Sequence, residues 1–370
     1  MLKKNTVWIV IGTRPNFIKV TQFKRVAAAF PNLDVKIVHT GQHYDERMAS
    51  VFFDQFGLRP DVYLNIKQGH PGVQIGDAIA ALVQLFLDQK PDIVLVVGDV
   101  NSTLAGAIAA NKCNIPLAHL ESGLRSNDLD MPEEHNRRVT DLLSNLHFIT
   151  EDAGIENLRK EGMPEVGLSV IGNTMIDTLV AYQDEIAKSV VLDEIGVKEG
   201  EFTLVTMHRP SNVDTASGLA LLADVFESTS RHIDLVFASH PRTLKQAESF
   251  GLMDRFHAIR NLQMIPAQGY FNFQKLVASC KFVLTDSGGI QEETTFLRKP
   301  CLTLRPNTER PVTITQGTNT LLQFDLEIIE AEVLSILKGT YKTGQIPFLW
   351  DGKATQRALN RISAYFDNGF

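Results

Sequence analysis

Cysteine is scarce in this chain. Three are present, Cys113, Cys280 and Cys301, widely spaced and in no C-x-x-C pattern. That argues against a disulfide framework or a cysteine zinc site and for buried free thiols in a reducing compartment. Long hydrophobic runs are also missing, since nothing approaches the roughly 20 apolar residues of a membrane span. The opening "MLKKNTVWIVIGTRP" has the basic-then-apolar order of a secretion signal, but its apolar run of about six residues stops at a charged turn. The expectation is a cytoplasmic protein with no membrane partner. Charge is not strongly one-sided either. The net value of −7 leaves no nucleic-acid footprint, although local arginines and lysines still set local potential. Three motifs are absent: G-x-x-x-x-G-K-[ST], G-x-G-x-x-G after the first strand, and G-x-S-x-G. Their absence argues against P-loop hydrolysis, a tightly held nicotinamide cofactor and a hydrolase elbow.

What is there is alternation. With 370 residues the chain exceeds the about 250–300 residues at which single cores stop growing, so two domains are expected. Strand-like runs at 6–13, 33–41, 91–99 and 115–122 alternate with helical patterns at 16–30, 44–57, 75–90, 102–113 and 132–146. Near residue 171 a long helix is expected, then a polar segment, and then the alternation restarts with "FTLVTMHRP", "IDLVFASHP", "KFVLTDSGG" and "PCLTLRP". Continuous apolar strands between amphipathic helices signal parallel sheets covered on both faces. The fold class is α/β: two doubly wound Rossmann-like domains, residues 1–171 and 172–352, with a cleft between them. The final helical pattern, 353–370, packs on its own domain or crosses back to the first. In such sheets ligands bind at the carboxyl ends of strands.

Several constellations fall at those ends. "TDSGGIQEETTFL" runs from a strand into a helix, with Ser287 at the N-cap and Gly288 and Gly289 leaving backbone N–H groups open. A helix start of this kind holds phosphate. Glu292 and Glu293 follow in the first turns, where acids also favour the dipole, and a carboxylate there is placed to accept ribose hydroxyls. "GTRPNFIK" puts Arg14 and Lys19 around a helix start, read as the first turns, where a cation implies a nearby anion. Asp99 ends a buried strand, Glu121 lies in or just after the next, and Glu133 and Glu134 open a helix after Pro132. Three acids from adjacent elements supply general acid and base groups, while a cap for the helix near Ser102 is the plainer use of Asp99. His208 and His240 end strands in the second half at no metal-ligand spacing, so hydrogen-bonding or proton-transfer roles are favoured and no metal is expected.

Taken in order, "GTRPNFIK", "TGQH", "GDVNSTLAGAIAA", "HLESGLRS", "MPEEHNRR", "IGNTMIDTL", "HRPSN", "HPRT", "TDSGGIQEE" and "NTERP" resemble the non-hydrolysing UDP-N-acetylglucosamine 2-epimerases, which share the GT-B two-domain fold. The resemblance implies elimination of UDP across C1–C2 to 2-acetamidoglucal and its re-addition to the other face, giving UDP-N-acetylmannosamine. No redox cofactor is needed, and domain closure would keep water from the glucal. By resemblance, Asp99, Glu121, Glu133 and His208 are catalytic. Arg14, Ser287 and Gly288 contact diphosphate, Glu293 the ribose, Phe273 the uracil and Arg310 the ligand, with Lys19, His240 and Gly289 also on the substrate side. A homodimer is implied as well.

This chain departs from the pattern in places. Asn16 stands where Glu is common, Ser122 where Ala is usual, and "HRPSN" carries one arginine, Arg209, where many members have two. Gln42, His43 and Arg209 are then remnants of a substrate-activation site, and weak or absent allosteric activation is expected. Competing readings are the same chemistry on UDP-2,3-diacetamido-glucuronate, a hydrolysing 2-epimerase, a GT-B glycosyltransferase, and a non-catalytic nucleotide-sugar-binding module.

Overall fold

A computed structural model describes residues 4–41 and 53–368. Most of the expected helix 44–57, together with Gln42 and His43, lies outside the described residues. The chain forms two compact units, Met1–Ala181 with Phe348–Phe370, and Tyr182–Pro347.

The first unit is built on seven parallel strands: β1 (Asn5–Ile11), β2 (Leu33–His39), β3 (Val62–Tyr63), β4 (Ile93–Val97), β5 (Leu117–Leu120), β6 (Leu146–Ile149) and β7 (Leu168–Val170). Their order in the sheet is β3-β2-β1-β4-β5-β6-β7. β4, "IVLVV", is buried at every position, which explains its lack of apolar–polar alternation: helices cover both faces. One such cover is the helix Asn101–Lys112, where Ala105, Ala109 and Ala110 meet Val10, Val94 and Val96. Its closeness to the sheet needs small residues, because a Cβ on Gly106 would fall 2.8 Å from Val96 Cγ1.

The second unit has six parallel strands: β8 (Phe202–Thr206), β9 (Asp234–Ala238), β10 (Leu262–Ile265), β11 (Phe282–Thr285), β12 (Cys301–Leu304) and β13 (Asn319–Leu322), ordered β10-β9-β8-β11-β12-β13. In each sheet the direction of winding reverses beside the unit's first strand, at β1/β4 and at β8/β11. These are the switch points where ligands of open α/β sheets sit. Among the described residues, no helix is long and apolar enough to cross a membrane.

Two helices and the unit boundary differ from expectation. The helix expected over 16–30 is two short ones, Arg14–Val20 and Phe23–Ala27, separated where Thr21 Oγ1 hydrogen-bonds Thr178 Oγ1 at 2.6 Å. Lys19 therefore lies in a last turn, where the helix dipole favours a cation, not in a first turn. The long helix expected after residue 171 breaks into Thr174–Ala181 and Gln183–Ala187, and the two units divide at that break. The helix Thr174–Ala181 belongs to the first unit, beyond the boundary expected at 171, because it packs on Arg14–Val20 and on the C-terminal helix Ala354–Asn368. That last helix is also in the first unit. Buried Asp177 caps it from a distance, accepting hydrogen bonds from Ala354 N at 3.0 Å and Thr355 N at 2.6 Å. Burial pushes the Asp177 carboxyl up.

Candidate active site

At the first unit's switch point the turn after β1 and the turn after β4 are tied together by Asn16. Its Oδ1 accepts from Gly12 N at 3.3 Å and Thr13 Oγ1 at 3.1 Å, and its Nδ2 donates to Val97 O at 3.1 Å. An amide does both jobs where a carboxylate could only accept, so Asn16 is suited to the place it takes. Beside it, Lys19 Nζ lies 2.6 Å from Glu121 Oε2, with both side chains buried. The anion that the sequence implied near Lys19 is thus the candidate acid Glu121 itself. Glu121 has φ +71, a left-handed backbone that is costly outside glycine and recurs at functional turns.

Gly98 completes this corner. Its φ is +65, and a Cβ there would sit 3.5 Å from Lys19 Nζ and 3.6 Å from Glu121 Oε2. Its neighbour Asp99 is not a helix cap: Val100 holds the N-cap position of Asn101–Lys112 without a side-chain bond. Instead Asp99 Oδ2 accepts from Arg137 Nε at 3.0 Å and from the same guanidinium's NH2 at 2.7 Å. Asn136 Nδ2 donates to Asp99 O at 2.8 Å.

The helix Pro132–Leu143 separates two adjacent acids that look equivalent in sequence. Glu134 is fully buried and accepts from Ser126 N, Ser126 Oγ and Arg137 NH1 at 2.9, 3.0 and 2.6 Å. Burial opposes its ionisation, but the Ser126 donors and the Arg137 guanidinium hold its carboxyl below the ordinary range. Glu133 is only half-buried, and among the described residues its carboxylate has no hydrogen-bond or ion-pair partner. Glu134 organises the loop before the helix, and Glu133 is left available. Arg14 opens its helix exposed to solvent.

The second unit's switch point is organised by Asp286, fully buried after β11. It accepts from His208 N at 3.0 Å, Arg209 N at 2.9 Å and Asn212 Nδ2 at 3.1 Å, and lies 3.1 Å from His208 Nδ1. Burial opposes the charge, but the His208 ring and these N–H groups hold the Asp286 carboxyl below its ordinary value. The contact fixes the His208 ring by Nδ1 and leaves Nε2 as its working nitrogen. The His240 ring stands 5.8 Å from it, centroid to centroid. His240 Nδ1 accepts from Arg242 N at 3.1 Å, and burial, then the His208 and Arg242 charges, lower its pKa.

Ser287 occupies the N-cap position of the helix Gly288–Leu297, yet its side chain makes no cap bond. Gly288 is required there. A Cβ would fall 2.7 Å from Glu309 Oε1 and 2.8 Å from Arg310 NH1. Gly289 follows, half-buried. Glu292 is not a dipole ornament. It is fully buried, with its Oε2 2.9 Å from Arg310 Nε, and Glu309 pairs with both Arg305 and Arg310. Burial lowers the Arg305 pKa, and the nearby Arg209 and Arg310 charges lower it further. Three guanidinium groups, those of Arg209, Arg305 and Arg310, gather near this glycine-opened helix start, with Arg305 and Arg310 paired to the buried carboxylates of Glu309 and Glu292. Glu293, one residue on, is buried beside Tyr270, whose phenol is pushed up by burial and then by the Glu293 charge. Phe273 is half-buried and packs against the core cluster of Val191, Phe202 and Val277.

Sequence reasoning missed Arg137, Asp286 and Glu292 as organisers of the site. Each partners a residue far away in the chain, and spacing carries no signal for that.

With this geometry in hand, a family model described as UDP-N-acetylglucosamine 2-epimerase matches residues 25–363. The chain belongs to that family. A UDP-N-acetylglucosamine 2-epimerase of Methanocaldococcus jannaschii is 37% identical over 369 residues, covering 96% of this chain and 98% of that one. A UDP-2,3-diacetamido-2,3-dideoxy-D-glucuronate 2-epimerase of Pseudomonas aeruginosa is 35% identical, with 96% and 98% covered. A crystal structure of a Methanocaldococcus jannaschii epimerase in complex with UDP-GlcNAc and UDP superposes with a TM-score of 0.89 at 36% identity, covering 97% of this chain and 99% of that one. Membership makes the chain an isomerase, and the structural match supports the GT-B-like two-domain class expected from sequence.

Proposed function

We propose that the chain is a non-hydrolysing UDP-N-acetylglucosamine 2-epimerase, interconverting the gluco and manno forms of its UDP-sugar. The reading is carried by the family match along nearly the whole chain, together with opposite chemistries at the two switch points. No carbonyl activates the C2 proton of the sugar, so direct abstraction would be slow. Elimination solves this: a base takes the C2 proton, the C1–O bond breaks, C1=C2 forms, and UDP departs with the bonding electrons. Re-addition reverses these steps with the proton delivered to the other face. In the second unit, Ser287, Gly288, Gly289 and Arg310 receive the diphosphate, His208 and His240 border it, and Glu293 takes the ribose hydroxyls. Placed donors and cations of this kind stabilise a departing anion. Phe273 borders the uracil. In the first unit, Asp99, Glu121 and Glu133 supply the acid and base groups, and Lys19 fixes Glu121. Arg14 assists at the diphosphate. The working form is a homodimer in the cytoplasm.

UDP-2,3-diacetamido-glucuronate is the second reading, favoured by the Pseudomonas relative. Proton NMR of UDP-N-acetylglucosamine with the protein in D2O, without added cofactor, tests the assignment. Deuterium entering C2 together with a manno product is expected. No exchange with UDP binding intact would overturn the substrate. Free N-acetylmannosamine would reveal a hydrolysing enzyme.

A further inference from the structure

Under the proposed carboxylates lies a buried polar hub that the reaction does not itself use. His119, in β5, is fully buried. Its Nε2 is 2.7 Å from Gly98 O, and its Nδ1 is 2.6 Å from Asp141 Oδ1. A carbonyl only accepts, so Nε2 carries a proton and donates it to Gly98. A proton also lies between Nδ1 and Asp141, because two bare acceptors would repel at that distance. Asp141, from the helix Pro132–Leu143, is buried in full. It also accepts from Gly123 N at 3.1 Å and from Ser122 Oγ, and pairs with Arg125 NH2 at 2.7 Å. Burial opposes its charge, but His119, His147 and Arg125 hold its carboxyl well below the usual range. The His147 ring closes the group from β6, 2.8 Å from Ser122 Oγ. Ser122, standing where the family usually has alanine, thus has a local purpose.

We propose that His119, backed by Asp141, is a positioning residue that sets the two strand-end carboxylates relative to each other. One ring nitrogen grips the carbonyl of Gly98, the residue before Asp99. The other grips the side chain that holds the turn Ser122–Gly123, immediately after Glu121. Glu121 has a left-handed backbone, costly outside glycine, so its turn needs an outside hold, while Gly98 turns freely for want of a Cβ and is fixed by what grips its carbonyl. The imidazole is a rigid spacer between those two holds. This rests on the assignment of Asp99 and Glu121 to the C2 chemistry.

Two substitutions split the spacer. His119→Gln places its amide nitrogen near the Nε2 position and keeps a donor for Gly98 O. His119→Asn places it near Nδ1 and keeps only the Asp141 side. Asp141→Asn preserves volume and weakens the same link, and because it also leaves Arg125 with less compensation its turnover too is counted only over molecules that fold and bind UDP. The readout is kcat per UDP-binding molecule, counted by calorimetry, since the groups proposed to hold UDP are, Arg14 apart, in the second unit. His119→Asn is expected to lower kcat by about tenfold to a hundredfold, the scale set by a displacement of roughly 1 Å at a reacting group, at unchanged UDP Kd. His119→Gln is expected to recover at least half of that loss on a logarithmic scale, and Asp141→Asn to lower kcat several-fold. Equal losses in both His119 variants, or wild-type kcat per binding molecule in all three, would overturn the proposal. Asp99→Asn in parallel separates the two layers: if it is inactive, the assignment of Asp99 to the C2 chemistry stands whatever the His119 variants show, and if it is fully active, that assignment and the positioning proposal built on it both fall.

Discussion

The two switch points share a topology and differ in chemistry. Beside β1/β4 the ends of β4 and β5 present carboxylates held by cations, Asp99 by Arg137 and Glu121 by Lys19. At β8/β11 the strand ends present a buried aspartate that is used up in holding His208 and Arg209, a glycine-opened helix, and the guanidinium groups of Arg209, Arg305 and Arg310. On the proposed function the first place moves a proton and the second holds the leaving anion. A doubly wound sheet therefore decides where a ligand meets the protein, and the residues at the strand ends decide what happens to it.

The comparison can be broken most sharply at Asp99. Asp99→Asn is expected to lower kcat by roughly 10²–10⁴-fold, the usual worth of a general acid or base, with UDP Kd within a few-fold by calorimetry. Glu133 and Glu134 sharpen it next. Glu133→Gln should cost turnover with no loss of stability. Glu134→Gln should lower stability by about 3–5 kcal/mol in urea melts, because it leaves Arg137 with a buried, half-compensated charge. On the other side, Gly288→Ala should weaken UDP binding by about tenfold or more, near 1.4 kcal/mol, since the new methyl displaces Arg310, while kcat at saturation changes less. Asp286 gives a pH test. Its carboxyl is depressed in the folded state, so its contribution is complete above about pH 4, the ordinary aspartate range. It is lost as pH falls through the lower folded value, and an Asp286→Asn protein should show a flatter loss of stability in acid. The smallest effect concerns the activation site: UDP-sugar saturation is expected to be hyperbolic, and a sigmoidal curve in initial-rate assays would contradict that.

The adjacent acid pairs show how far the residues could be read in order. "PEEHNRR" offered two glutamates with equal claims on a helix dipole, and "IQEETT" two more. Resemblance favoured Glu133 and Glu293. What the structure adds is the use of their neighbours: Glu134 turns inward to Ser126 and Arg137, and Glu292 to Arg310. The break at Thr21–Gln22, which moved Lys19 to a last turn, was equally hidden, because Thr178 lies far along the chain.

Sequence by itself determined the parallel two-sheet class, through apolar runs with no alternation, and the family, through motifs spread along the chain. It also located the strand-end turns, because glycine and charged residues abruptly end those apolar runs. Only the tertiary structure decided which charged neighbour is spent on holding the protein together. That choice depends on burial and on partners remote in sequence, such as Asp141 for His119 and Arg137 for Asp99, and a linear pattern contains neither.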